Sequence, residues 1–323
     1  MSVLITGGTG TLGFHLLNIM SHSKGDLISF SPEPGKYYRK LEHVSYEYGD
    51  LLDFNSIADV LKKYQPKEVY HIASQSNVGV SHQKPFETLE TNFMGTQNLL
   101  EAIRRHTPKS KVLLLSSSDI YGAGEGLLDV MHVEDDPYKP LTPYATSKAC
   151  LEILGLQFQR AWGMHLSIVR PFNFTGPYHS RRFVLPNIAE QLVKIANYGS
   201  EPVIYAGNLD VTRDILDVRD LSRALVLVMN ISTSGSIYNV CSGQVRTIRE
   251  LVEGLVDICP VDVDIRRDPS RERANDIPLL MGSPEKLMRD TGWKPLIEID
   301  DSLKDIYREM ELRVQKEFDL TKI

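Results

Sequence analysis

Val3, Leu4 and Ile5 form a short apolar run that passes straight into Thr-Gly-Gly-Thr-Gly-Thr-Leu-Gly, and those glycines open onto an amphipathic stretch carrying Leu12, Leu16, Leu17, Ile19 and Met20. No other feature restricts the fold of this chain so strongly. The apolar run suits a strand covered on both faces. Gly7, Gly10 and Gly13 let a tight turn close and let the backbone approach a ligand. The following helix offers unpaired N–H groups and about half an elementary positive charge at its start. Strand, turn and helix in that order cradle a dinucleotide pyrophosphate. The spacing is G-x-x-G-x-x-G, one residue wider at the front than G-x-G-x-x-G. Glycine turns before helices also serve purely steric ends, so the rest of the chain must decide.

The first half alternates two kinds of segment. Apolar, β-rich runs at Val3–Ile5, Leu27–Phe30, Val44–Tyr48, Val69–Ile72, Val112–Leu115 and Leu166–Val169 read as strands. Helix-period segments at Leu12–Met20, Ser56–Tyr64, Phe86–His106 and Tyr144–Trp162 lie between them. This alternation predicts an α/β fold, a Rossmann-like doubly wound parallel sheet. After Pro171 the rhythm shortens. A helix is expected at Leu185–Ala196, with strands near Pro202–Tyr205 and Asp214–Leu216. Leu221–Asn230 and Ile237–Val240 read as one more helix and strand of the main sheet. Thr247 and Glu250 have capping-box spacing and open a helix through Asp257. Ser283-Pro284 marks another start, with serine as cap and proline in the first turn. The expected division is therefore 1–172, with 216–241 returning to it, and a smaller α/β lobe from 173–215 and 242–323.

Composition narrows the function. The 323 residues, 42% apolar, can bury one large domain or two intimate lobes, and the net charge of -6 comes with no basic block, which speaks against nucleic acid. Cys150, Cys241 and Cys259 have neither disulfide-framework nor metal spacing and read as small buried apolar residues of a reducing compartment. No metal cluster, apolar signal segment or membrane-length run is present, so a soluble, cytoplasmic protein is expected. His71 reads as a packed or hydrogen-bonded histidine, and Trp162 and Trp293 as core residues.

Two further motifs carry chemistry. Tyr144-Ala-Thr-Ser-Lys148 puts a phenol and an ammonium one helical turn apart on one face. At about 6 Å and an effective dielectric of about 20, the lysine favours phenolate by roughly 3 kcal/mol, about two pKa units. The tyrosine can then exchange a proton with a substrate oxygen near neutral pH, and the lysine can hydrogen-bond a nicotinamide ribose. Y-x-x-x-K also arises by chance on surface helices. Its place downstream of the strand–glycine–helix opening gives it weight. Leu113-Leu-Leu-Ser-Ser-Ser-Asp-Ile-Tyr-Gly122 ends a strand in three hydroxyls and Asp119. At the carboxyl edge of a parallel sheet these groups face the ligand crevice, although Ser and Asp there also serve turns and caps.

Together these elements resemble the extended short-chain dehydrogenase/reductase superfamily across essentially the whole chain. Gly49-Asp50-Leu51, His71-Ile-Ala-Ser-Gln-Ser76, Asn92-Phe-Met-Gly-Thr96 and Arg170-Pro-Phe-Asn173 add to the match. The resemblance implies catalytic roles for Ser117, Tyr144 and Lys148, with Asp119 beside them. It implies cofactor contacts from Gly7, Gly10, Thr11, Leu12, Gly13, Ser31, Asp50, Leu51, Ala73, Tyr144 and Lys148, with Asp50 at the adenine. Asn173 lies where the family's strand-end asparagine reaches the cleft. The C-terminal half is most similar to GDP-4-dehydro-6-deoxy-D-mannose reductases, then to GDP-mannose 4,6-dehydratases, through residues 170–177, 201–210, 213–220, 238–243 and 291–295. This implies a nucleotide-diphosphate sugar substrate bound by the smaller lobe, with Arg213 and Arg273 on the nucleotide and diphosphate. Two segments depart from the family: Arg273-Ala-Asn-Asp276 where Arg-Pro precedes the acid, and Tyr178-His-Ser-Arg-Arg182 where the run is small and glycine-rich. The two added arginines can alter the accepted base or sugar, or be surface charges.

The second strand ends Leu27-Ile-Ser-Phe-Ser-Pro, without the carboxylate that holds the ribose hydroxyls of NAD. Ser29, Ser31 and Arg39 or Lys40 suit a 2′-phosphate, which favours NADP(H) and leaves NAD(H) open. The expected reaction is reduction of the 4-keto group of a GDP-6-deoxyhexose. The alternative is a 4,6-dehydratase, in which Asp119 stands where dehydratases carry a glutamate. A non-catalytic nucleotide-sensing module is the third reading, and the presence of Ser117, Tyr144 and Lys148 speaks against it. The helices around Asn92–Arg105 and Tyr144–Trp162 resemble those that pair in a four-helix interface, which implies a homodimer.

Overall fold

Seven parallel strands form the main sheet of the computed structural model, which describes residues 2–21, 25–32, 40–123, 131–231, 233–272 and 277–321. They are β1 (Val3–Thr6), β2 (Leu27–Ser31), β3 (Val44–Tyr48), β4 (Glu68–His71), β5 (Lys111–Leu115), β6 (Leu166–Pro171) and β11 (Ile237–Val240). Their order across the sheet is β3-β2-β1-β4-β5-β6-β11. The order reverses between β1 and β4, and a crevice opens there at the carboxyl ends of the strands. Helices cover both faces, which is why β1, β2, β4 and β6 are buried along their whole length. Leu12, Leu16 and Leu17 of α1 (Thr11–Met20) pack on one face with Leu221 and Leu225 of α8 (Val218–Ile231). The other face is covered by α2 (Phe54–Tyr64), α5 (Gly95–His106) and α6 (Pro143–Trp162), through Leu61, Leu99, Ile103, Leu151 and Phe158.

A second body has its own core. It joins α7 (Val184–Tyr198), α9 (Ile248–Val256) and α11 (Ile299–Thr321) to the parallel pair β8 (Val203–Ala206) and β13 (Asp264–Arg267). Two small sheets tie it to the crevice. In one, β7 (Asn173–Thr175) lies parallel to β10 (Ile215–Asp217). In the other, β9 (Thr212–Arg213) sits between β12 (Arg246–Thr247) and β14 (Leu279–Leu280). Between α9 and α11 the chain returns to the first core and leaves it again. Leu287 of α10 (Glu285–Thr291) and Trp293 belong to the core against α8.

Several local expectations need correction. The segment 86–106 is helical throughout, as expected, but carries a π-helical turn inside it. After α3 (Val78–Gln83) and α4 (Pro85–Leu89) comes a π-helical turn at Glu90–Met94, then α5. The wider turn carries buried Asn92, whose side chain accepts from Gln75 N at 2.8 Å and donates to Ser147 Oγ at 2.9 Å. The helix after Ser283-Pro284 starts at Glu285, whose N–H donates to Ser283 Oγ at 3.4 Å, with Pro284 at the cap position. Trp162 is half exposed beneath Arg104 at the end of α6, whereas Trp293 is buried. Of the cysteines only Cys241 is buried; Cys150 and Cys259 are half-buried, and all three are free thiols. The capping box at Thr247 and Glu250 is formed. The 23-residue α11 is an addition to the sequence reading, although Leu303, Ile306, Tyr307, Met310 and Val314 recur at helical spacing on its buried side. Among the described residues no helix is long and apolar enough to cross a membrane, and none form a metal cluster.

Candidate active site

The turn after β1 is built by its glycines. Gly7 sits at φ +78°, where a side chain is strained, and a Cβ there would meet Ala73 Cα at 2.8 Å. A Cβ on Gly13 would collide with Gly7 O and Gly8 Cα, so α1 closes directly on the turn. Gly10 caps α1 with no side-chain bond, and no acid lies in the first turn. The helix therefore presents unscreened N–H groups to a cleft of about 670 Å³, lined by Gly7, Gly10, Thr11, Leu12 and Gly13. Ser31, Asp50, Leu51 and Ala73 continue that lining from the ends of β2, β3 and β4. Ser31 Oγ accepts from Thr9 N at 3.3 Å, and Asp50 Oδ1 from Leu52 N at 2.9 Å. This cradle fits a dinucleotide: bare backbone donors for a diphosphate and a hydroxyl at the second-strand tip. Ser29 is a correction. It is buried under Gly8, its Oγ unpaired, away from the cleft lining. Lys40 lies over the rings of Tyr46 and Tyr48, and Arg39 falls outside the described residues.

The reacting end is set by β5 and α6. Past Leu115, Ser117 caps a short 3-10 turn and its Oγ accepts from Asp119 N at 3.2 Å. Thr142 caps α6 by accepting from Ala145 N at 3.0 Å, with Pro143 in the first turn. This fixes Tyr144 in the cleft wall that Ser117 and Asp119 also line. Lys148, one turn on, is buried behind that wall. Its Nζ donates to Leu115 O at 2.7 Å and lies 5.8 Å from the Tyr144 ring centre.

The electrostatics differ from the sequence expectation. Burial, and then the Asp119 charge, push the Tyr144 phenol above its ordinary range, partly offset by the Ser117 hydroxyl. Burial brings Lys148 down to about 7, with Glu152 opposing. The lysine does not make the phenol acidic in this state, because its own charge is desolvated and its ammonium is directed to a backbone carbonyl. Tyr144 is thus held as the protonated acid.

Beneath the wall lies a buried polar network. Arg170 Nη2 bonds Glu152 at 2.7 Å, and its Nη1 reaches Tyr121 Oη at 2.8 Å and Glu134 O at 2.7 Å. Tyr121 in turn donates to Asn239 at 2.6 Å. His71 is held between Thr6 at 2.8 Å and Thr96 at 2.9 Å, and burial brings it down to about 3, so it is a neutral structural link.

On the lobe side Asn173 and Arg213 line the same cleft. Arg213 Nη1 donates to Thr212 O at 2.9 Å. Next to it Asp214 is buried and accepts from Ser242 N, Ser242 Oγ and Gly243 N, with burial raising it to about 6. Arg273 lies outside the described residues. Arg181 points to the second body, bonding Glu317 at 2.8 Å and Glu190 at 3.3 Å, and Arg182 is exposed. Phe174, His179 and Phe183 complete the wall, and sequence reasoning assigns a role to none of them. Only the departure at 178–182 signals that region. Asn92 enters the sequence pattern merely as part of a match; a lone asparagine within an apolar stripe is its signal.

Residues 4–306 match the family model described as GDP-mannose 4,6 dehydratase. The GDP-6-deoxy-D-mannose reductase of Pseudomonas aeruginosa is 36% identical, across 98% of this chain and 99% of its own length. The solved structure of RMD from Pseudomonas aeruginosa complexed with NADPH superposes with a TM-score of 0.84 at 33% identity, covering 97% of this chain and 99% of that one. The UDP-glucose 4-epimerase of Thermus thermophilus, in complex with NAD, gives a TM-score of 0.84 at 26% identity, covering 96% and 99%.

Proposed function

We infer the reaction from one premise: the chain belongs to the extended short-chain dehydrogenase/reductase family, in the group matched by the GDP-mannose 4,6 dehydratase model. It is an NAD(P)-dependent enzyme acting on nucleotide sugars. The reading favoured here is reduction of the 4-keto group of a GDP-4-keto-6-deoxyhexose to a GDP-6-deoxy sugar of the rhamnose type. The observation that carries it is geometric: Tyr144 and Ser117 share the cleft wall, with Lys148 Nζ one helical turn behind, 5.8 Å from the Tyr144 ring centre. A carbonyl reductase needs a proton donor at that point.

Reduced nicotinamide, when bound, supplies the hydride. Ser117 orients the carbonyl oxygen, and Tyr144 gives its proton to the alkoxide as it forms. Lys148, titrating near 7, stabilises the phenolate left on Tyr144 and hydrogen-bonds the ribose. Gly7, Gly10, Thr11, Leu12 and Gly13 hold the diphosphate, with Asp50, Leu51 and Ala73 on the adenosine and nicotinamide approaches. Ser31 at a carboxylate-free strand tip favours NADPH, in keeping with the NADPH named for the Pseudomonas relative. Asn173, Arg213 and Arg273 are the substrate-binding candidates. The exposed Phe86, Met94 and Ile153 on the α4–α6 side support a homodimer, and the reading places the protein in the cytoplasm.

A second reading, 4,6-dehydration, is favoured by the matching family model and by the Asp119 carboxylate acting on Tyr144. Purified protein given NADPH with a GDP-4-keto-6-deoxyhexose, and in a parallel assay oxidised cofactor with GDP-mannose, separates the two. Reduction consumes one NADPH per product. Dehydration leaves the keto sugar unreduced, removes water from GDP-mannose, and returns the cofactor unchanged. Y144F is expected to lower the reduction rate by about 10²–10⁴ while NADPH still binds.

A further inference from the structure

The segment 178–182, which departs from its family's small glycine-rich run, sends its side chains to separate places. Tyr178 adopts φ 64°, a left-handed conformation that a tyrosine takes at a cost. It is held there by Thr11 Oγ1 donating to its carbonyl at 3.2 Å and by its ring set edge-on to Phe14 at 5.1 Å. His15 Nε2 bonds the preceding carbonyl, Pro177 O, at 2.9 Å. Arg181 leaves for Glu317 and Glu190, and Arg182 for the surface. His179, turned back by the strained residue before it, enters the cleft wall. Its ring is stacked between Phe174 at 5.4 Å and Phe183 at 4.2 Å. The side chain is 6% exposed, and its Nδ1 is buried with no hydrogen-bond partner among the described residues.

The strain at Tyr178 is offset by Thr11 and Phe14, but the buried nitrogen of His179 has no partner among the described residues, a cost that a ligand reaching the ring recovers. We infer that His179 is a specificity-determining contact that hydrogen-bonds a hydroxyl of the substrate's sugar. The inference rests on the nucleotide-sugar reading above. Burial, and then nearby His15, bring His179 down to about 4, so the imidazole is neutral. A neutral imidazole offers one donor and one acceptor, which matches a hydroxyl. A diphosphate only accepts and calls for cations, which Arg213 supplies in the same cleft.

The test uses H179F, which keeps an aromatic ring for the stack and removes both nitrogens, and H179Q, which keeps hydrogen-bonding capacity. Affinities for GDP, GDP-mannose and NADPH are measured by calorimetry, alongside KM and kcat for reduction and the melting temperature. H179F is expected to weaken GDP-mannose and raise the sugar KM about three- to tenfold. GDP and NADPH affinities and kcat stay within about twofold, and H179Q recovers most of the loss. Unchanged GDP-mannose affinity in H179F overturns the inference. So does an equal loss for GDP, which puts the contact on the nucleotide, a loss confined to NADPH, or a glutamine variant as weak as phenylalanine. The wild type is the control for the underlying reading: failure to bind any GDP-sugar removes that reading and this inference together.

Discussion

Burial moves Tyr144 and Lys148 in opposite senses: it raises the phenol, which keeps its proton as in water, and lowers the ammonium. The phenol stays protonated because a phenolate in that wall is desolvated and faces Asp119. The ammonium is weakened for the same reason, from 10.5 to about 7. In the unfolded chain Lys148 binds its proton up to about 10.5, so between 7 and 10.5 the unfolded state holds more protons. Stability therefore climbs as pH rises through that window, and below 7 the burial cost is complete. K148M removes the cost. It is expected to stabilise the protein by on the order of a few kcal/mol at pH 7 and below, with the gain shrinking toward pH 10, while activity falls at least about a hundredfold. Melting curves of both proteins from pH 6 to 10 check this. A difference that stays constant across the range contradicts the assignment of that titration to Lys148.

At the level of elements, α6 carries both the reacting tyrosine and, two turns later, Glu152, which anchors the helix to β6 through Arg170. Glu152 is fully buried and Arg170 2% exposed, so neither charge has water as a substitute. E152L leaves the guanidinium uncompensated and is expected to cost about 3–5 kcal/mol. Denaturant unfolding measures it; a loss under about 1 kcal/mol means Tyr121, Tyr138 and Glu134 O suffice for the arginine. The strand–turn–helix opening and the Tyr-Lys helix were legible in the sequence because each depends on local spacing. The charge state of Tyr144 was not. It depends on how deeply three separate segments bury the phenol, and pairwise spacing carries no measure of desolvation. The π turn at Glu90–Met94 was hidden likewise, since Asn92 pairs with Gln75 and Ser147, one of them 55 residues away. Trp162 was misplaced because an aromatic at a helix end packs as well beneath an arginine at the surface as in a core.

Across the whole molecule, one cleft is lined both by the carboxyl edge of the main sheet and by segments leading to the second body, such as Phe183 and Arg213. The sequence alternation revealed the first body readily. The second was harder, because its strands are two to four residues long and its core depends on α11, far along the chain. Phe86 and Ile153 stand 76% and 57% exposed on the side formed by α4 and α6. If that side pairs two copies, light scattering gives twice the chain mass, and F86D with I153D gives single chains that retain the fold; a monomeric wild type contradicts the pairing. The central claim, proton donation by Tyr144 during reduction of a sugar carbonyl, is tested most directly by isotope transfer. NADPH deuterated at the nicotinamide C4 position is incubated with a GDP-4-keto-6-deoxyhexose and the product is read by mass spectrometry and NMR. The account predicts one deuterium at sugar C4 per NADPH consumed, with Y144F transferring at least about a hundredfold more slowly. Absence of label in the sugar, with GDP-mannose losing water and no net loss of NADPH, would contradict it.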